Sequence, residues 1–293
     1  MKTALVTGSH GFVGIHLCDE LDRQGYRVRG FDTRDGYDIR DLEQVRNRLD
    51  SVRPDVVFHL AAQAAPSESF HNPQRAFEVN TIGSTNLLEA VRRLGLKTTV
   101  HLAGTSEEYG PAVPQRGIEL LPRSPYAIAK VAMDYMGQLY ADAYGMHVVV
   151  TRAYNHTGPG RGEMYAESSF AKQVAEVEAG KRSVIQHGNL DSVRNYTDVR
   201  DMVKAYILAT ELPSGVYDIS SNTSVSISTV LKTLTELSSV SCELEELPSL
   251  KRTADFSFLE PDGQRFRDLT GWETTYTLVR TLSELLDYWR QRV

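Results

Sequence analysis

The stretch Ala4-Leu-Val-Thr7-Gly8-Ser-His-Gly11-Phe-Val-Gly14 decides the fold. Its first four residues form a short apolar run that reads as a buried parallel strand, and a helix is expected over about 11–24. Gly8 permits a tight turn, Gly11 lets a backbone approach a pyrophosphate, and Gly14 allows close helix–strand packing. The next helix, opened by Phe12 and Val13, offers unpaired N–H groups and a positive dipole end to an anion. Glycines alone are ordinary turn devices. The preceding strand, the succeeding helix and Asp32 at the end of the next strand turn them into a dinucleotide site. Asp32 lies near the ~20-residue offset of a carboxylate that holds ribose hydroxyls. That carboxylate repels a 2′-phosphate and favours NAD(H). Arg34, two residues on, can instead recruit the phosphate of NADP(H) or serve as a solvated turn residue.

Outward from this turn, short apolar runs alternate with amphipathic stretches as far as about residue 150. Val28 to Phe31, Val56 to Leu60, Thr99 to Leu102 and Val148 to Val150 read as further buried strands. Helices are expected near 41–53, 72–94 and 125–144. In the last of these Ser124 suits the N-cap, Pro125 the first helical position and Gly145 the stop. The alternation predicts a doubly wound α/β parallel sheet with right-handed crossovers.

Beyond residue 153 the texture changes. Asn155 to Arg161 reads as a Gly/Pro-rich loop, with helices expected near 170–179, 199–210, 226–238 and 278–291 and a strand at 216–219. The division expected is a dinucleotide-binding domain over 1–153, to which about 196–220 returns. Residues of about 154–195 and 221–293 would form a smaller, mostly helical substrate lobe.

The 293 residues carry 24% charged and 41% hydrophobic side chains, the mix of a soluble globular protein, with a net charge of −6. The 32 basic residues form no block, so nucleic acid is not expected as a partner on electrostatic grounds. The apolar runs are short for a membrane span. Cys18 and Cys242 lie far apart and make no metal-type or redox-type spacing, and the eight histidines never pair at ligand spacing, so no metal is expected. A cytoplasmic, reducing environment is the expectation.

Tyr126 and Lys130 stand one helical turn apart on one face. A free phenol, with a pKa of about 10, exchanges protons poorly at neutral pH. A neighbouring ammonium stabilises the phenolate and brings that value down. Chance alone produces such pairs in many helices. The segment Gly104-Thr105-Ser-Glu107-Glu108-Tyr-Gly110, about twenty residues upstream at a strand's C-terminal end, supplies the context. A hydroxyl there can bind the oxygen that the tyrosine protonates.

With these segments the chain resembles the extended short-chain dehydrogenases/reductases that modify nucleotide sugars, over essentially its whole length. Further matches are Asp38-Ile39, His59-Leu-Ala-Ala62, Val79-Asn80, Arg152 to Pro159 and Val193 to Asp201. Within that family it is most similar to the GDP-4-keto-6-deoxymannose reductases and their GDP-mannose 4,6-dehydratase relatives. The resemblance implies that Asp38 and Ile39 contact adenine and that Leu60, Ala61, Ala62 and Asn80 line the NAD(P)(H) site. It implies a catalytic triad of Thr105, Tyr126 and Lys130, and a substrate nucleotide held by Asn155, Arg194, Arg252 and Asp255. Asn195 departs from the family's usual aspartate, which would loosen the loop around Arg194.

Three functions are then open. One is reduction of a 4-keto-6-deoxy nucleotide sugar, a GDP-sugar being favoured. Another is 4,6-dehydration or epimerisation with a retained cofactor, for which Glu107 matches the acid/base position, although it could equally be a loop-structuring carboxylate. The last is a non-catalytic dinucleotide sensor. The helices near 72–94 and 125–144 suggest a homodimer, as in the family.

Overall fold

The computed structural model describes residues 1–110, 120–250 and 261–293. The chain forms two compact units, the first comprising Met1–Ala153, Met202–Ile219 and Asp262–Trp272. Its strands β1 (Thr3–Thr7), β2 (Arg27–Phe31), β3 (Val56–His59), β4 (Thr99–Thr105) and β5 (Val148–Ala153) come first. Strands β6 (Asn155–Thr157), β7 (Val184–His187) and β8 (Val193–Asp198) intervene before β9 (Gly215–Ile219) rejoins the main sheet. That sheet has the order β2-β1-β3-β4-β5-β9, and every pairing in it is parallel. The order reverses at β1, so the ends of β1 and β3 flank the switch point where such sheets take their ligands.

Helices α1 (Phe12–Arg23), α2 (Leu42–Val52), α3 (Pro66–His71), α4 (Pro73–Phe77), α5 (Gly83–Arg93) and α6 (Pro125–Tyr144) belong to this unit. Leu5, Val57, Val100, Leu102 and Val150 from the strands share one buried cluster with Leu87, Leu88, Val91 and Met133 from α5 and α6. Local chemistry sets the ends of α6. Ser124 Oγ accepts from Ala127 N at 3.0 Å, and Gly145 closes the helix with φ +64°. Where a single helix near 72–94 was expected, α4 and α5 are joined by a π-type turn, Glu78–Ile82, carrying Asn80.

The second unit comprises Tyr154–Asp201, Ser220–Pro261 and Glu273–Val293. Helices α7 (Ala166–Glu178), α9 (Ile227–Glu236) and α11 (Leu278–Arg290) surround a core that includes Phe170, Ile185, Leu231 and Leu285. Between them in sequence, α8 (Val199–Ala209) leads back to β9, and α10 (Gln264–Thr270) belongs to the first unit. The unit also holds two small sheets, β10-β8-β6 and β11-β7, where β10 is Ser224–Ser226 and β11 is Glu243–Glu246. Among the described residues the unit holds more helix than strand, as expected, while the loop expected at 155–161 is corrected over its first three residues. Asn155, His156 and Thr157 pair with Tyr196, Thr197 and Asp198, and a strand of polar residues has no apolar run to announce it. The segment Asp262–Trp272 lies with the first unit, where Arg265 stacks on Tyr217 of β9 and Phe266 buries against Trp272. Residues 196–201 stay with the second, because β8 pairs there.

Asn195 does not loosen its surroundings. Its side-chain N–H groups donate to Ser221 O (2.9 Å) and Thr223 O (3.1 Å), and its carbonyl accepts from Ser221 N (3.0 Å). A carboxylate here could not donate and would face two carbonyl oxygens. Asn195→Asp should lower unfolding free energy by about 1–3 kcal/mol, read from urea denaturation; an unchanged midpoint would remove this role from the amide.

Candidate active site

β1 hands the chain to the glycine turn at the switch point. Gly8 has φ +72°, its N–H donates to Phe31 O at 2.9 Å, and a Cβ there would sit 2.9 Å from Ala61 N. A Cβ on Gly14 would collide with Gly8 O, so α1 can lie this close to the turn only with glycine. Gly11 is the N-cap of α1 and offers no side chain to the first-turn amides headed by Phe12 and Val13. That arrangement suits a pyrophosphate. Asp32 accepts from His10 N (3.1 Å) and Arg34 N (3.0 Å), tying this turn to the turn after β2. Each carboxylate oxygen keeps a further lone pair for a ribose hydroxyl. The Arg34 side chain is exposed beside it.

The loop after β3 is fixed by a network centred on His59, which residue spacing did not single out. Ser84 Oγ donates to Asn80 O (2.6 Å), so it accepts from His59 Nε2 (2.8 Å). Nδ1 is then the acceptor for the Thr7 hydroxyl (2.8 Å), and Thr7 Oγ1 in turn accepts from Ala61 N (3.1 Å). Burial, reinforced by the Lys130 charge, pushes the imidazole down to about 3, which keeps it in this neutral tautomer. Asn80 is buried, with its amide engaged by Gln63 N (2.9 Å) and Gln63 O (3.1 Å). Leu60, Ala61 and Ala62 are thus held from both sides. Ile39 is buried against Gly83, and Asp38 pairs with Arg40 at 2.6 Å, a contact that holds its carboxyl below the usual range.

Thr105 ends β4 and caps a 3-10 turn, Ser106–Tyr109. Its Oγ1 accepts from Glu107 N at 3.3 Å, which leaves the hydroxyl proton to donate to a carbonyl oxygen. Glu107 is half-buried. α6 lies along β4 and against this turn. On it, Tyr126 and Lys130 are both buried, and Tyr126 N donates to Ser69 Oγ (3.1 Å) in α3. Lys130 Nζ donates to Ala103 O at 2.7 Å, two residues before Thr105. Burial lowers the ammonium to about 8, opposed by the charge of Glu108.

In the second unit, Asn155 lies on β6 and Arg194 on β8, the two strands paired in one sheet. Arg194 donates to Val193 O at 2.8 Å. Arg252 and Asp255 lie outside the described residues. Among the described residues no group of His, Cys, Asp or Glu could hold a metal ion, and no helix is long and apolar enough to cross a membrane.

The family model of the NAD dependent epimerase/dehydratase family matches residues 4–220. The chain belongs to that family. The resemblance read from the sequence implied this family. It is 30% identical, over 98% of its length and 97% of the relative's, to the GDP-6-deoxy-D-mannose reductase of Pseudomonas aeruginosa. It is 31% identical to the GDP-mannose 4,6-dehydratase of Yersinia enterocolitica, over 70% of this chain and 63% of that protein. Among solved structures, RMD from Pseudomonas aeruginosa complexed with NADPH matches with a TM-score of 0.92 at 28% identity, covering all of both chains.

The depressed Lys130 ammonium has a consequence for stability. Below pH 8 the folded protein carries the full cost of a buried cation; between about 8 and the ordinary 10.5 only the unfolded chain keeps that proton. Stability from this group therefore rises with pH across that window, by about 1 kcal/mol per unit. Lys130→Met should be more stable than wild type at pH 7.5 and lose that advantage by pH 10. Parallel denaturation curves for the two proteins across the window would show the lysine to be unperturbed.

Proposed function

We propose that the protein reduces the C4 ketone of a 4-keto-6-deoxy nucleotide sugar, with a GDP-sugar favoured. The observation that carries this reading is likeness over nearly the full length of both chains to a GDP-6-deoxy-D-mannose reductase. In this reading the first unit binds NAD(P)(H) and the second binds the sugar nucleotide. Gly8, Gly11 and the head of α1 hold the pyrophosphate, Asp32 the ribose, and Leu60 to Ala62 line the rest. Asp32 favours NAD(H), and Arg34 gives NADP(H) a partner for its extra phosphate. When bound, the reduced cofactor supplies the hydride to C4.

The remaining steps fall to the chain's own side chains. The Thr105 hydroxyl donates to the ketone oxygen and polarises it. Tyr126 gives that oxygen its proton as the alcohol forms. Lys130, held by Ala103 O, stabilises the phenolate left behind and takes a ribose hydroxyl. Asn155 and Arg194 serve the diphosphate, the guanidinium because its planar fork matches phosphate oxygens.

A second reading is favoured by one observation. Glu107 sits half-buried directly beyond Thr105, where a dehydratase needs an acid/base near C5 and C6. In that case the cofactor is regenerated in each turnover.

We further infer a homodimer in the cytoplasm. Ile82 is 53%, Ile128 44%, Tyr135 57% and Leu139 51% exposed, along the helical segments 72–94 and 125–144. Neither Cys18 nor Cys242 is in a disulfide, as suits a reducing compartment.

With GDP-4-keto-6-deoxymannose the protein should oxidise one NAD(P)H per sugar reduced, and Tyr126→Phe should lower kcat by about 10²–10⁴-fold. Conversion of GDP-mannose without net cofactor change would replace reduction by dehydration. Leu139→Glu should halve the mass seen by light scattering, and a monomeric wild type would end the dimer proposal.

A further inference from the structure

Glu108 is fully buried although it carries a carboxyl group. Its side chain folds back over the strand that precedes it. A Cβ on Gly104 would lie 2.8 Å from Glu108 Oε1 and 2.9 Å from Thr151 O, so only glycine leaves room for the fold-back. There Oε1 accepts the N–H of Thr105 at 2.9 Å. Oε2 accepts from Arg152 Nε at 3.1 Å.

Arg152 gathers the surrounding elements. From β5 it also donates to Asp134 of α6 (2.8 Å) and to the hydroxyl of Tyr109 (3.0 Å). That hydroxyl donates to Asp218 of β9 at 2.8 Å. Asp134 stands one helical turn beyond Lys130, on the helix that also carries Tyr126. A continuous line of hydrogen bonds therefore runs from α6 through Asp134, Arg152 and Glu108 to the peptide of Thr105. Thr105 is referenced to the same helix as the other two members of the triad.

We propose that Glu108 is a positioning residue, whose carboxyl holds the Thr105 peptide so that the Thr105 hydroxyl meets the oxygen that Tyr126 protonates. The inference rests on the Thr105/Tyr126/Lys130 reading above and adds to it the residue that sets their spacing.

The tether asks only for an acceptor. Three carboxyl groups crowd one guanidinium here, and burial together with Asp134 pushes Glu108 well above the carboxylate range. Asp218 is pushed up to about 6, chiefly by burial. A glutamine keeps the length of Glu108 and an acceptor oxygen for the Thr105 N–H, and its amide N–H can donate to the neighbouring Asp134 carboxyl. An alanine removes the acceptor. An aspartate keeps the charge for Arg152 but falls one methylene short.

The test uses the full chain with Glu108→Ala, Glu108→Gln and Glu108→Asp. Hydrogen exchange at the Thr105 amide, read by mass spectrometry, should speed up about tenfold in the alanine and aspartate variants and stay near wild type in the glutamine variant. With the keto-sugar, alanine and aspartate should lower kcat by about 100-fold with KM nearly unchanged, and glutamine should restore most of it. In a Thr105→Val background the alanine change should cost little more, since the hydroxyl it positions is gone. Should the alanine protein not fold, the aspartate protein carries the same comparison. A protected Thr105 amide in the aspartate protein, a glutamine variant no better than aspartate, or a loss confined to melting temperature would overturn the proposal. A wild type that does not turn over the keto-sugar counts against the reductase reading, and the exchange measurement still decides the tether.

Discussion

The C-terminal end of β4 governs the rest of the site. β3 stays paired with β4 only as far as Leu102, whereas β5 accompanies it to Thr105. The three residues beyond Leu102 stand past the shorter strand at the sheet's carboxyl edge. In that overhang Ala103 O takes the Lys130 ammonium and Thr105 N takes the Glu108 carboxyl. The last residue, Thr105, presents the hydroxyl. One extended peptide thus fixes a cation and a hydrogen-bond donor at once, and a parallel sheet makes such an edge without extra structure.

Much of this could be read from the residues alone, because it obeys local rules. Short apolar runs give the buried parallel strands β1, β3, β4 and β5, whereas β2, expected buried, is a sheet edge with only Phe31 buried; the Ser124–Pro125 start and Gly145 stop delimit α6. The glycines of the first turn announce themselves by their spacing. Thr105, Tyr126 and Lys130 likewise sit where the strand end and helical periodicity place them.

Other parts rest on partners distant in sequence. β6 and β8 are polar strands held by pairing, with each other and, for β8, with β10, so no periodicity marks them. Asn195 looked like a weakened aspartate, and its value lies in donating to carbonyls 26 and 28 residues later. His59 was one residue of a matched segment until Thr7 and Ser84 closed on it from two elements. Arg265 carries its segment to β9 by stacking on Tyr217 and donating to Val216 O, a placement that depends on a distant partner rather than on sequence order.

The π-type turn at 78–82 has a mechanical corollary. Residues two apart on a helical turn point to nearly opposite sides, so Asn80 meets the loop after β3 while Ile82 is exposed. The same five residues therefore grip the backbone of Gln63 on one side and offer an apolar surface on the other. Asn80 and Ile82 share that one turn, so a change in its backbone would shift the hold on Gln63 and the exposed apolar surface together.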